Sequence, residues 1–145
     1  MPAVPRRRMH PGRKRMLWAT IALFLGAFLP WMYTPVGNVS GIGVLGDLML
    51  PGQPGAWVLY SAFMALAAAL APWRIFSVVN GFIVTTVAVG LPVYHLVRMF
   101  ARVGFDGWTP GPGAVLAVAG GVLCFIGARE LLTLTEATPD AARAG

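Results

Sequence analysis

The chain has 145 residues, 57% of them hydrophobic and 11% charged, with a mean hydropathy of +0.72 and a formal net charge of +6. An average soluble domain carries roughly 25% charged residues, and so short a chain has too little interior to hide this much apolar surface from water. A water-surrounded globular domain is excluded on these grounds, two independent domains do not fit the length, and lipid is the expected solvent.

Residues 1–15 read as a basic cytoplasmic tail: Arg6, Arg7, Arg8, Arg13, Lys14 and Arg15 supply six of the eleven Lys and Arg residues. Basic residues beside an apolar span set topology, and each contributes about 1 kcal/mol of attraction to anionic headgroups. Clustered in this way, they do not indicate a nucleic-acid partner. The first apolar stretch, 16–33, closes in Leu29-Pro30-Trp31-Met32-Tyr33 with no small-x-small cleavage site, so it is expected to persist rather than be removed as a signal peptide. Three more stretches follow at 55–73, 75–97 and 113–132. Each approaches the ~20 residues that cross ~30 Å of hydrocarbon. In hydrocarbon the backbone must satisfy its own hydrogen bonds, so all four are expected to be helices. The expected fold class is an all-α membrane protein, a four-transmembrane-helix bundle over 16–132 with a Gly-rich outer loop between helices 1 and 2, followed by a short cytoplasmic tail at 133–145.

Orientation follows from the charges. With both termini cytoplasmic, the inner pieces hold nine basic residues (the six above with Arg74, Arg129 and Arg143) and the outer loops two, Arg98 and Arg102. This is a positive-inside distribution and implies a multi-pass plasma-membrane protein. The aromatic residues agree: Trp18 and Trp73 fall at the inner interface, and Trp31, Tyr33, Trp57, Tyr94 and Trp108 at or near the outer one.

Residues 41–46, GIGVLG, match the dinucleotide-binding fingerprint, but that turn needs a preceding strand and a helix opening on its last glycine. Here a membrane span precedes it and Leu48-Met49-Leu50-Pro51-Gly52 follows, so no cofactor is expected. The segment Thr34–Pro54 mixes glycines with apolar residues, and is expected to lie as a short hairpin or re-entrant cap over the outer mouth of the bundle. Asp47 and Asp106 are the acids of the outer loops, with Arg98 and Arg102 as candidate partners.

Helices in lipid associate through small residues. The fourth span carries two adjacent small stripes: Gly113, Ala117 and Gly121, and beside them Gly120, Cys124 and Ala128. One stripe satisfies packing within a bundle, so the second suggests a face for a partner helix from another membrane protein or a second copy. Of the few polar residues in the spans, Asn80 is expected to bond to a neighbouring helix. Gly90 and Pro92 are expected to kink the third span. No acid lies deep in a span, no nucleophile–base set or metal-ligand spacing occurs, and Cys124 is the single cysteine, so neither catalysis nor a metal site is expected.

Phe28-Leu29-Pro30-Trp31, Val39-Ser40-Gly41-Ile42, and Pro110-Gly111-Pro112-Gly113 leading into Gly120-Gly121 together resemble the small four-span membrane proteins of actinobacteria. The resemblance implies a topology rather than an activity. The layout is also similar to that of claudin-like tetraspans, without the cysteine pair of their first outer loop. The functional expectation is a non-enzymatic accessory or scaffold subunit of a plasma-membrane complex. The alternative is a lipid or apolar-ligand module with a polar pocket drawn from Asn80, Tyr94, His95, Asp47 and Asp106.

Overall fold

The structure, a computed structural model, describes residues 9–35, 37–42, 54–104 and 106–133. They form four helices and one small sheet: α1 (Pro11–Phe28), β1 (Pro30–Thr34), β2 (Gly37–Ser40), α2 (Pro54–Leu70), α3 (Arg74–Val103), β3 (Thr109–Pro110) and α4 (Pro112–Thr133). Around the bundle α1 packs on α2 and α4, and α3 packs on α2 and α4, closing a ring of four. Two helices, α3 and α4, are long and apolar enough to cross a membrane, and α2 is a shorter apolar helix.

The ends of α1 differ from expectation. It begins at Pro11, not Met16, because proline at the first position is preorganised for a helix and His10 Nδ1 accepts the Gly12 N–H at 3.1 Å. Arg13, Lys14 and Arg15 therefore stand on the first turns of α1 and not in a tail. The helix stops at Phe28, five residues short of Tyr33. Leu29, held extended before Pro30 (ψ 155°), cannot continue it. Residues 30–34 become a strand instead. α2 likewise ends at Leu70, since Pro72 has no N–H to extend the ladder. α3 runs on to Val103, carrying Pro92 inside it, and Gly104 closes it with a φ of 70° that glycine adopts without strain.

The fold is thus not purely helical. β1 pairs antiparallel with β2, with Tyr33 opposite Asn38 and Thr34 opposite Gly37, and with an irregularity between Pro30 and Met32. β3 adds to the other edge of β1 through Met32–Pro110 and Tyr33–Thr109, giving the order β2-β1-β3. A hairpin does lie between α1 and α2, but at 30–40 rather than within Thr34–Pro54, its first strand drawn from the expected end of the first span; β3 ties this α1–α2 connection to the α3–α4 connection. We call this the sheet end. The opposite, basic end holds Arg13, Lys14, Arg15, Arg74 and Arg129.

Side-chain size is inverted relative to a water-soluble bundle. The interior is mostly alanine, glycine and other small side chains, Ala19, Ala65, Ala88, Ala117, Cys124 and Ala128 among them, with Met16 and Leu23 the largest that are fully enclosed. The exterior carries large apolar groups all round: Trp18 is 65% exposed, Trp73 72% and Ile75 80%, with Phe24, Phe63, Phe82 and Phe125 also outward.

Candidate functional site

The two stripes on α4 are both used inside the chain. Gly113, Ala117 and Gly120 face α1: a Cβ on Gly120 would lie 2.7 Å from Leu23 Cγ, and one on Gly26 would lie 2.9 Å from the Ala117 nitrogen. Gly121, Cys124 and Ala128 line the side toward α3. There a Cβ on Gly121 would meet Val89 Cγ2 at 2.8 Å, and Gly81 fits against Ala128 Cβ. All six residues are buried. The face that the sequence suggested for a partner helix is covered by α1 and α3. A further pair, Gly12 and Gly127, brings α1 and α4 together at the basic end, each glycine placed against the other's carbonyl oxygen. Sequence reasoning missed it because the two lie at opposite ends of the chain, with no spacing to link them.

The pocket expected from Asn80, Tyr94 and His95 does not form. Asn80 stands fourteen residues before Tyr94 on one continuous helix, which separates them by roughly 21 Å along the axis. Asn80 Nδ2 donates to the Phe76 carbonyl of its own helix at 3.0 Å, not to a neighbour. Between Asn80 and the sheet end a bond to a neighbouring helix comes from Thr85, whose Oγ1 lies 3.0 Å from the Gly121 carbonyl and 2.8 Å from that of Gly81. At the sheet end His95 Nδ1 lies 2.9 Å from the Leu91 carbonyl, to which it can only donate, and its ring meets Trp31 edge-on at 6.4 Å. Asp106 is exposed and, among the described residues, makes no ion pair with Arg98 or Arg102; Arg98 reaches Tyr94 Oη at 3.5 Å instead. Asp47, with the rest of GIGVLG beyond Ile42, lies outside the described residues.

Trp31 was expected at the membrane interface. It is instead the buried keystone of the sheet end, 2% exposed, with Nε1 donating to the Gly26 carbonyl at 2.9 Å. Gly41 and Gly113 press against its ring, and its carbonyl accepts the Gly111 N–H at 2.7 Å. Gly41 in turn accepts the Gly55 N–H at 2.8 Å, and Ile42 is buried beside it. Gly41, the first glycine of the fingerprint, thus serves close packing, since an added Cβ would run into the Trp31 ring; Gly43 and Gly46 lie outside the described residues. A tryptophan directly after a helix-ending proline, between glycine-rich segments, was the available signal.

The basic end is held by cations on backbone oxygens. Arg13 donates to the Pro72 carbonyl at 3.3 Å and Arg74 to the Leu132 carbonyl, near the end of α4, at 3.1 Å, where a positive charge also suits the helix dipole. Arg15 pairs with Glu130 at 3.0 Å. Two apolar grooves indent the exterior. One, of about 300 Å³, lies on the α1–α2 seam between Ile21, Phe24, Leu25, Ala62, Phe63 and Leu66. The other, of about 400 Å³, is formed at the sheet end by Leu96, Val97, Phe100, Trp108 and Pro110. Among the described residues no three of His, Cys, Asp and Glu gather in a way that could hold a metal. No family model, curated protein or solved structure matches the chain.

Proposed function

We propose that this chain is a four-span plasma-membrane protein with both ends cytoplasmic, acting as a non-enzymatic accessory or scaffold subunit that docks onto a larger membrane assembly at its sheet end. The observation that carries the membrane half is the inversion of side-chain size: alanine and glycine inside with Trp31 the large exception, and Trp18, Trp57, Trp73 and most phenylalanines outside. Water penalises such an exterior heavily, whereas lipid is indifferent to it and leaves close packing of small residues to hold the helices. α1 and α2 complete the ring with α3 and α4 and present the same exterior, so a bilayer that takes one pair takes the other at the same depth.

The docking half rests on length. α3 has 30 residues, about 45 Å, which exceeds a ~30 Å hydrocarbon core. The groove of Leu96, Val97, Phe100, Trp108 and Pro110 lies at its sheet end, where an apolar surface at headgroup level or above is suited to another protein. The test is purification in gentle detergent with cross-linking from position 97, Val97→Glu serving as the disrupted form. A stoichiometric partner cross-linked at 97 and lost in Val97→Glu is the expected result. A monomer with no partner, or a chain released from membranes by alkaline wash, defeats the proposal.

A further inference from the structure

We propose that the α1–α2 seam is a binding site for one anionic phospholipid, its phosphate held by Arg13 and Lys14 and one acyl chain lying in the groove below them. The inference rests on the membrane reading above and adds the ligand class and its residues.

Geometry supplies the alignment. Thr20 and Ile21 of the groove follow Arg13 and Lys14 by seven residues each, so they share a helix face, offset by about 20°, two turns or about 10.5 Å further along. The lining is apolar, and the one hydroxyl there, Thr20 Oγ1, is engaged with the Met16 carbonyl at 2.9 Å. An acyl chain meets no unpaired polar group. Arg13 is steadied by one bond to the Pro72 carbonyl at 3.3 Å, leaving most of its five N–H donors available. Lys14 is exposed, and its long stem lets the ammonium reach headgroup level.

Charge and level agree. Glu130, the acid at this end, is occupied by Arg15 on the flank of α1 that faces α4, so among the described residues no carboxylate competes at the seam. Trp73, next to the Pro72 that Arg13 holds, and Trp18, one turn below Lys14, are the most outward tryptophans, as suits the headgroup boundary. A partner helix fits the seam poorly. The groove is lined by the bulky Phe24, Phe63 and Leu66, whereas close helix contact needs small residues. A flexible chain lies between such side chains.

The test uses the full chain in mild detergent and native mass spectrometry, with phosphatidylglycerol and phosphatidylcholine of matched acyl chains added separately. One retained phosphatidylglycerol per chain, in preference to phosphatidylcholine, is expected. The pair R13Q/K14Q weakens phosphatidylglycerol roughly thirtyfold, about fivefold for each cation near an anionic surface, and weakens phosphatidylcholine, whose phosphate charge is offset by choline, by clearly less. Ile21→Trp, which fills the groove and keeps both cations, lowers retention of both lipids, while Ile75→Trp on α3 does not. Circular dichroism confirms that each variant is folded. Equal retention of the two lipids by the unaltered chain overturns the proposal without a variant. So does full retention in Ile21→Trp, or competition by glycerol phosphate as strong as by whole lipid. A chain that stays dispersed without detergent overturns the membrane reading itself, whereas one that needs detergent but shows no lipid preference overturns the seam site alone.

Discussion

Gly127→Ala adds one methyl group where α1 and α4 meet backbone to backbone at the basic end. The new Cβ would sit 2.7 Å from the Gly12 carbonyl oxygen and 3.1 Å from Met16 Cγ, against about 3.5–4.0 Å for comfortable carbon contacts. Met16 can turn aside, but the Gly12 carbonyl belongs to a helix backbone and moves only if the helices part by several tenths of an ångström. Overpacking of this kind costs about 1–3 kcal/mol, and a rigid obstacle places it in the upper part of that range. Alanine returns up to about 1 kcal/mol of helix propensity, for a net loss of roughly 1–2 kcal/mol. Gly90→Ala is the control: nothing lies within 4 Å of its added Cβ, so only the propensity gain operates. SDS titration from mild detergent, followed by helical circular dichroism, measures both. The double variant Gly12→Ala/Gly127→Ala should cost less than the sum of its parts, since one separation of the helices relieves both clashes. If Gly127→Ala is as stable as Gly90→Ala, or the pair is additive, the reading of α4 as internally consumed is wrong.

Three further expectations use the same titration. Thr85→Val keeps the shape and removes the bond to the Gly121 carbonyl, for a loss of about 0.6 kcal/mol and no more than about 1.7; Asn80→Leu, whose bond lies within its own helix, should lose less than Thr85→Val. Trp31→Phe removes the buried donor to Gly26 and leaves a gap at the sheet end, for a loss of about 2–3 kcal/mol, visible also as a weaker hold on the β1–β2 hairpin in hydrogen exchange. Glu130→Gln breaks a half-exposed pair (44% and 32% side-chain exposure) and should cost under about 1 kcal/mol, with the difference shrinking in high salt; a loss that salt does not reduce would count against a screened pair.

Four helices and an irregular connection after the first were legible because two strong signals write them. Apolar runs of helical length stand out from a chain with few charges, and glycine and proline between them leave the backbone little choice. What was not legible is where a run changes state inside apolar sequence. Met32 and Tyr33 are as apolar as the residues before them, and composition gives no reason to stop α1 at Phe28. The reason is local and lies in Pro30, together with a tertiary partner, β3, some seventy-five residues away. The three-stranded sheet depends on that distant pairing, which no window of sequence around β1 contains.

The site was less legible for a different physical reason. A small-residue stripe identifies a face that lets another backbone approach, but it carries no information about whose backbone that is. Gly120 and Gly121 are neighbours in sequence and point to different helices, so two stripes on α4 look like a surplus although a ring of four demands them: a helix with two flanking neighbours needs two close faces. Counting stripes per helix, one for the bundle and one to spare, overlooked that every member of a four-membered ring has two contacts. On the exterior, by contrast, bulky side chains leave grooves between helices, as on the α1–α2 seam lined by Phe24, Ala62 and Phe63. For the lipid-facing shell proposed above, the informative feature is a dent between bulky residues with cations beyond it, and Arg13 and Lys14 stand two turns from the α1–α2 groove.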